Sequence, residues 1–179
     1  MAAFSESQLT TPDGRVAVDW HLMQNGAVTL FPDRANFDFA ATWLQDSNYL
    51  VHHIDCADHA TFQQQFSDSL RFQQQFGYDW NGNLDALNDG FSEFDFTNVA
   101  GVVLAFSQFD TLLDRDTRVA HAVLDIAEGN SRFHLLFAHR LITIAHCTKR
   151  DAIIPKLGGN DSFWNTIRWV NSGVAPDGG

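Results

Sequence analysis

The chain has 179 residues, of which 45% are hydrophobic and 13% aromatic, a size typical of one domain with a substantial core. This composition excludes a disordered, collagen-like or disulfide-dependent chain, and the two cysteines, Cys56 and Cys147, form no CxxC pair. The 22 acidic residues outnumber the 11 basic ones, and the net charge of −11 argues against direct binding of nucleic acid or of an anionic membrane.

The first residues, MAAFSESQ, lack the basic and apolar regions of a secretory signal. No apolar stretch approaches the ~20 residues that a membrane helix needs. We therefore expect a soluble protein of the cytoplasm. No cofactor is expected, because the segment PKLGGND at 155–161 lacks the residue order of a phosphate-binding loop.

The N-terminal part of the chain is predicted to form a β-hairpin followed by a helix. Residues 15–23 alternate apolar and polar side chains, as a strand does. Asn25 and Gly26 favour a tight turn, after which residues 27–31 return as the second strand. Residues 37–44 then place apolar side chains at helical spacing.

The central and C-terminal parts alternate strands with helices. Residues 48–55 are predicted to form a strand, residues 60–75 a helix with Asp58 as its N-cap, and residues 84–94 a short helix with Asn83 as its N-cap. Further elements are predicted as a strand at 99–106, a turn or helix at 109–113, a helix at 117–129 ending at Gly129, strands at 133–137 and 141–145, and a helix at 163–170. Strands separated by helices indicate an α/β fold with a parallel sheet at its centre.

Acidic charge is concentrated in residues 35–114, which hold 12 acidic residues but one basic residue, Arg71. Within this stretch Asp85, Asp89 and Glu93 recur every four residues, which puts them on one stripe of the predicted helix. The helix dipole favours an acid in the first turn, but like charges four residues apart repel by a few tenths of a kcal/mol. The stripe indicates either a solvated surface or a site for a positively charged partner.

The segment NGNLDALNDGF at 81–91 resembles the signature of the barstar family, intracellular inhibitors of the ribonuclease barnase. The resemblance extends over residues 48–139 through the segments NYLVHHID, ATFQQQFSDSLRF, VVLAFSQF and RFHLLFA, which follow one another as the elements of that fold do. It implies a small parallel sheet flanked by helices. We expect residues 1–179 to form one domain, with a hairpin-and-helix extension at 1–47 and a strand-and-helix extension at 140–179.

The resemblance also implies a partner-binding site and no catalysis. It assigns the central contact, a carboxylate in place of a substrate phosphate, to Asp89 and the second anionic contact to Asp85. The surrounding contacts are implied at Tyr78, Asp79, Trp80, Asn88, Glu93 and Phe94.

Three positions depart from the family pattern. Asn88 stands where the family has an exposed Trp, Asn81 where it has Gly, and Asp79 where it has a contact Tyr. The family's further acidic contact in the last helix has Asp125 as its nearest match.

These features predict an inhibitor, or immunity protein of a toxin–antitoxin pair, that blocks the cationic active site of a basic ribonuclease. The alternative is an acidic interaction module of the same fold that neutralises a toxin other than a ribonuclease, or another basic partner. Both interpretations rest on the same charges.

Other sites are less well supported by the sequence. Asp85 and Asp89 could act as an acid/base pair, but such pairs lie in clefts rather than on a convex helix. A metal site at His52, His53 and neighbouring Asp55 and Cys56 is disfavoured because adjacent strand residues point to opposite faces. The aromatic cluster of Phe163, Trp164, Ile167 and Trp169 is interpreted as core, with partner binding as the alternative.

Overall fold

The computed structural model describes residues 3–12 and 14–170 of the chain. Its centre is a parallel sheet of five strands in the order β2-β3-β4-β1-β5. The strands are β1 (Val28–Phe31), β2 (Tyr49–Asp55), β3 (Gly101–Ser107), β4 (Leu141–His146) and β5 (Phe163–Trp164). The predicted α/β class and its parallel sheet are confirmed.

Helices cover both faces of the sheet and make a three-layer structure. A 3₁₀ helix at Glu6–Gln8 is followed by the helices α1 (Val18–Met23), α2 (Arg34–Asp46), α3 (His59–Ser69), α4 (Phe72–Phe76), α5 (Leu84–Ser92), α6 (Phe109–Arg115) and α7 (Thr117–Leu135). In β3, Val103 and Ala105 pack with α1 and α2, whereas Leu104 and Phe106 pack with α3 to α7. Burial on both faces explains the continuous apolar run of this strand.

The predicted N-terminal hairpin is wrong. Residues 18–23 form α1, because Val18 and Leu22 are four residues apart and a helix also buries both of them. The following strand β1 lies between β4 and β5 and is parallel to both. The segments outside the barstar-like region therefore contribute strands to the sheet, but not as a hairpin.

The predicted end of the last long helix at Gly129, and the predicted strand at 133–137, are also wrong. Helix α7 continues to Leu135, and its buried side chains extend beyond Gly129 to His134. The chain turns at Ala138, which has a φ of 63°. A short apolar run fits a strand and a buried helical turn equally well, so local sequence did not distinguish them.

Two further helix boundaries and one further element differ from the predictions. The helix expected over 60–75 is divided at Arg71, which has a φ of 51°, into α3 and α4. The helix expected over 84–94 ends at Ser92. The helix expected over 163–170 is absent from the described part of the chain, where β5 adds an edge strand and Asn165 donates a backbone hydrogen bond to Leu30 O at 2.8 Å.

The predicted N-caps at Asp58 and Asn83 are confirmed. Across residues 3–12 and 14–170, no helix has the length and apolar character needed to cross a membrane.

Candidate protein-binding site

Helix α5 is held in place by its N-cap and by one buried face. Asn83 Oδ1 accepts hydrogen bonds from the backbone N–H groups of Asp85, at 3.0 Å, and Ala86, at 3.3 Å. Leu87 and Phe91 are completely buried in the core beneath the helix. The opposite face of α5 is left to solvent.

The acidic stripe, defined as Asp85, Asp89 and Glu93, lies on this exposed face. None of the three carboxylates takes part in an ion pair or a side-chain hydrogen bond within the described chain. The backbone carbonyl of Asp89 accepts a hydrogen bond from Ser92 Oγ at 2.7 Å, which leaves the Asp89 carboxylate free. Arg71 and Glu93 line one depression together but form no ion pair there. The stripe is therefore a concentration of negative charge without an ion pair in the described chain, and it suits a cationic partner.

A second depression lies between the stripe and α4. It has a volume of about 390 Å³ and is lined by Gln75, Phe76, Asp89, Ser92 and Glu93. Its wall is aromatic on the α4 side and acidic on the α5 side. A long cationic side chain fits such a wall well, because its stem is apolar and its head is charged.

The loop before α5 separates the predicted contact residues into two groups. Tyr78 is 41% exposed, and Asp79 is also exposed. Trp80, in contrast, is only 3% exposed, so the expectation of a surface contact by its side chain is wrong. Its ring packs edge-on against Phe62 and Phe66, at centroid distances of 6.0 and 5.3 Å.

Trp80 instead connects the loop to the helix. Its Nε1–H donates to Asn83 O at 2.7 Å, and its backbone N–H donates to Ser67 Oγ at 2.8 Å. The turn itself is formed by Gly82, with a φ of 95°, while Asn81 Oδ1 accepts from Asn83 N at 3.3 Å. Trp80 thus positions Asn83 and the start of α5 from inside the core.

The remaining predicted contacts flank the helix. Phe94 is half-buried and stacks on Phe91, with ring centroids 5.7 Å apart. Asn88 is exposed, and its Oδ1 accepts a hydrogen bond from Asn130 Nδ2 at 2.9 Å. Asn130 itself is buried, so this hydrogen bond fixes the packing of α5 beside α7.

Both acidic residues of α7 are already engaged elsewhere. Asp125 Oδ1 accepts from the backbone N–H of Gly158 at 2.7 Å. Glu128 is 3% exposed and accepts from Ala27 N at 2.8 Å and from Arg132 Nη2 at 3.0 Å. Neither residue adds a free carboxylate to the stripe.

The structure gives little support to the other sites considered from the sequence, a metal site near His52 and Cys56 and a C-terminal aromatic binding site. Residues 3–12 and 14–170 contain no group of three or more His, Cys, Asp or Glu side chains that could hold a metal ion. Burial lowers the pKa of His52 and raises the pKa of Cys56 to about 12, so this thiol is protonated at neutral pH. The predicted aromatic core cluster at the C-terminal end is only partly correct. Trp169 packs at Phe31 and Phe39, and Trp164 packs against the core on the other face of the sheet, but Ile167 is 38% exposed.

The full length of α7 and its packing beside α5 were not predicted from the sequence. Asn130 and Phe133 lie beyond the predicted helix end at Gly129, so they were not assigned to a helix that packs beside α5. Past that glycine the buried face of α7 is continued by Ser131 and His134, which are polar, so apolar spacing gave no signal of the longer helix.

Fold and site together describe an α/β protein that presents an acidic helix on one side of a parallel sheet. The sequence model of the family described as Barstar (barnase inhibitor) matches residues 49–140, just over half of the chain. The chain belongs to the barstar family, whose members are inhibitors rather than enzymes. No curated protein and no solved structure matches it. The match includes α5, the loop before it and the whole of α7, and confirms the resemblance that the sequence indicated.

Proposed function

We propose that this protein inhibits a ribonuclease of the barnase type by placing α5 and the preceding loop in the cationic active site of the enzyme. The acidic stripe is the main support, because its three carboxylates are exposed and have no ion pair among the described residues. A ribonuclease holds phosphates with cationic side chains. A carboxylate that enters such a site takes the place of a substrate phosphate.

The acidic stripe speeds the association of the inhibitor with the enzyme and also supplies contacts that hold the complex together. Its unpaired charge attracts the cationic enzyme and raises the association rate above the ~10⁵–10⁶ M⁻¹s⁻¹ of an unsteered encounter. In the complex, Asp89 makes the central contact and Asp85 the second one. Tyr78, Asp79 and Phe94 line the rim together with Asn88 and Glu93.

The test compares Asp89→Ala with a charge-matched control, Asp46→Ala, in a barnase inhibition assay. Asp46 ends α2, which packs on the other face of the sheet, and it is exposed, so both variants remove one surface carboxylate. Loss of one partner from a buried charge pair costs about 2–5 kcal/mol, or roughly 30- to 4,000-fold in the inhibition constant. This range comes from measured interface pairs, those of barnase with barstar included.

Asp89→Ala should weaken inhibition within this range, whereas Asp46→Ala should change it by less than about threefold. The melting temperature of Asp89→Ala should be unchanged or higher, since the substitution removes like-charge repulsion on α5. Wild-type protein that leaves barnase fully active would contradict the proposal. Equal losses in the two variants would show that net charge, rather than the acidic stripe, is responsible.

A further inference from the structure

An apolar patch lies at the C-terminal end of α7. Phe133 is 47% exposed, Leu136 79% and Phe137 59%. The rings of Phe133 and Phe137 are in edge-to-face contact, with centroids 5.3 Å apart, so these side chains form a cluster and are not scattered singly. We call Phe133, Leu136 and Phe137 the α7 patch. Clustered exposed side chains of this kind are typical of interaction sites.

The patch is held on an ordered helix end. His134 is buried next to it, and its Nε2–H donates to Phe91 O, the last buried residue of α5, at 2.8 Å. The backbone N–H of His139 returns to His134 O at 3.1 Å and closes the end of the helix. The aromatic side chains are therefore presented on a fixed backbone, which lowers the entropic cost of binding.

The α7 patch adjoins the surface already assigned to the ribonuclease. Helices α5 and α7 run side by side in the same direction, because Asn88 pairs with Asn130 and, about one turn later, Phe91 pairs with His134. Phe133 follows Asn130 by three residues and so lies on the same side of α7. The exposed face of α5 thus has α4 on one side and, on the other, the side of α7 that carries Phe133.

We propose that the α7 patch is a second part of the ribonuclease-binding surface, which packs on an apolar rim beside the cationic cleft of the enzyme. This inference rests on the proposed function and adds to it a chemical requirement on the partner. The acidic contacts select for a basic enzyme, and the patch selects for one with exposed apolar side chains next to its active site. Because α7 has no free acid to offer, its contribution to the interface is apolar.

Charge favours this occupant over a second copy of the chain. The protein has a net charge of −11, and α7 packs beside a helix whose acidic stripe has no ion pair in the described chain. Self-association through the patch would bring two such helices towards each other, which like-charge repulsion opposes. A basic partner can contact both the acidic stripe and the α7 patch without this repulsion.

The experiment measures the dissociation constant for barnase in the full-length protein with Leu136→Ser and Phe137→Ser combined. Both side chains are mostly exposed, so the fold should tolerate the change, and a melting curve checks this. The matched control is Ile153→Ser, which removes an apolar side chain that is 90% exposed. Ile153 follows β4 whereas the patch precedes it, so the two positions lie at opposite ends of this strand.

The double variant should bind barnase about 10- to 30-fold more weakly, as expected for the loss of one aromatic and one aliphatic interface side chain, and the control should bind like wild type. The dissociation constant of the double variant should depend on NaCl concentration as that of wild type does, because no charge is lost. The dissociation constant of Asp89→Ala should depend on NaCl less strongly. Wild-type affinity in the double variant, with binding still lost in Asp89→Ala, would overturn this inference and leave the proposed function standing. Wild-type protein that does not bind barnase would overturn both.

Sedimentation of the free protein tests the competing occupant. The expected result is a monomer for wild type and for the double variant. A wild-type dimer that becomes monomeric on Leu136→Ser and Phe137→Ser would assign the patch to self-association and overturn the inference.

Discussion

Arg140 Nη1 donates a hydrogen bond to Asp19 Oδ2 at 3.1 Å, and the two side chains are only 9% and 7% exposed. The hydroxyl of Tyr49 donates to the same carboxylate oxygen at 2.7 Å. Burial and the nearby Asp19 charge raise the pKa of Tyr49, so its hydroxyl stays protonated as a donor. Tyr49 and Arg140 are the first and last residues of the family match, and Asp19 belongs to the preceding segment. The pair thus ties the N-terminal segment to both ends of the barstar region.

We predict that Arg140→Met lowers the free energy of unfolding by about 3–5 kcal/mol, because it leaves the Asp19 carboxylate buried and unpaired. Urea denaturation measures this change. Asp19→Asn combined with Arg140→Met should cost less than the two single changes added together, since no charge then remains uncompensated. We also expect one cooperative transition in the wild type. A cost below 1 kcal/mol, or separate unfolding of the N-terminal segment, would contradict this account.

Trp80 and Tyr78 should respond to truncation in opposite ways although only two residues separate them. Trp80→Ala removes a ring that is 3% exposed, and the free energy of unfolding should fall by about 3–5 kcal/mol. Tyr78→Ala, at a residue that is 41% exposed, should cost about 1 kcal/mol or less and weaken barnase binding instead. Urea denaturation and inhibition assays on both variants measure the two effects. A stable Trp80→Ala variant that binds poorly would restore Trp80 as a contact residue.

The stability of the protein should decrease as the pH falls from about 7.5 to 5.5. Burial is the main cause that lowers the pKa of His21, His52, His134 and His146 in the folded state. The unfolded chain, with a histidine pKa near 6.5, therefore binds more protons below this pH, so stability is complete above about 6.5 and is lost as the pH falls. Most carboxylates stay ionised in this interval, so relief of acidic repulsion offsets little of the loss.

Urea denaturation at several pH values in this interval measures the effect. His134→Gln should reduce the slope, because it removes one of the four groups. The slope should persist in 0.5 M NaCl, since salt screens surface charges but not burial. A free energy of unfolding that is constant from pH 7.5 to 5.5 would contradict the prediction.

The candidate site was largely predictable because it is built from neighbouring residues. Asn83 as N-cap, Leu87 and Phe91 as the buried side and Asp85 and Asp89 on the exposed side follow from the geometry of one helix. Trp80 could not be placed in the same way. Its burial depends on Phe62 and Phe66, which belong to an earlier helix, and an aromatic loop residue fits the core as well as a surface.

The sequence by itself determined the α/β class, the acidic stripe and the family, because periodicity, capping and a contiguous motif act over a few residues. Tertiary structure alone decided that residues 18–23 form a helix, that β1 lies between β4 and β5, and that α7 continues past Gly129 to bring Asn130 against Asn88. The local pattern at each of these places fits two conformations. The choice between them depends on which one buries its apolar side against segments far away in the chain, and that energy is absent from any short window of sequence.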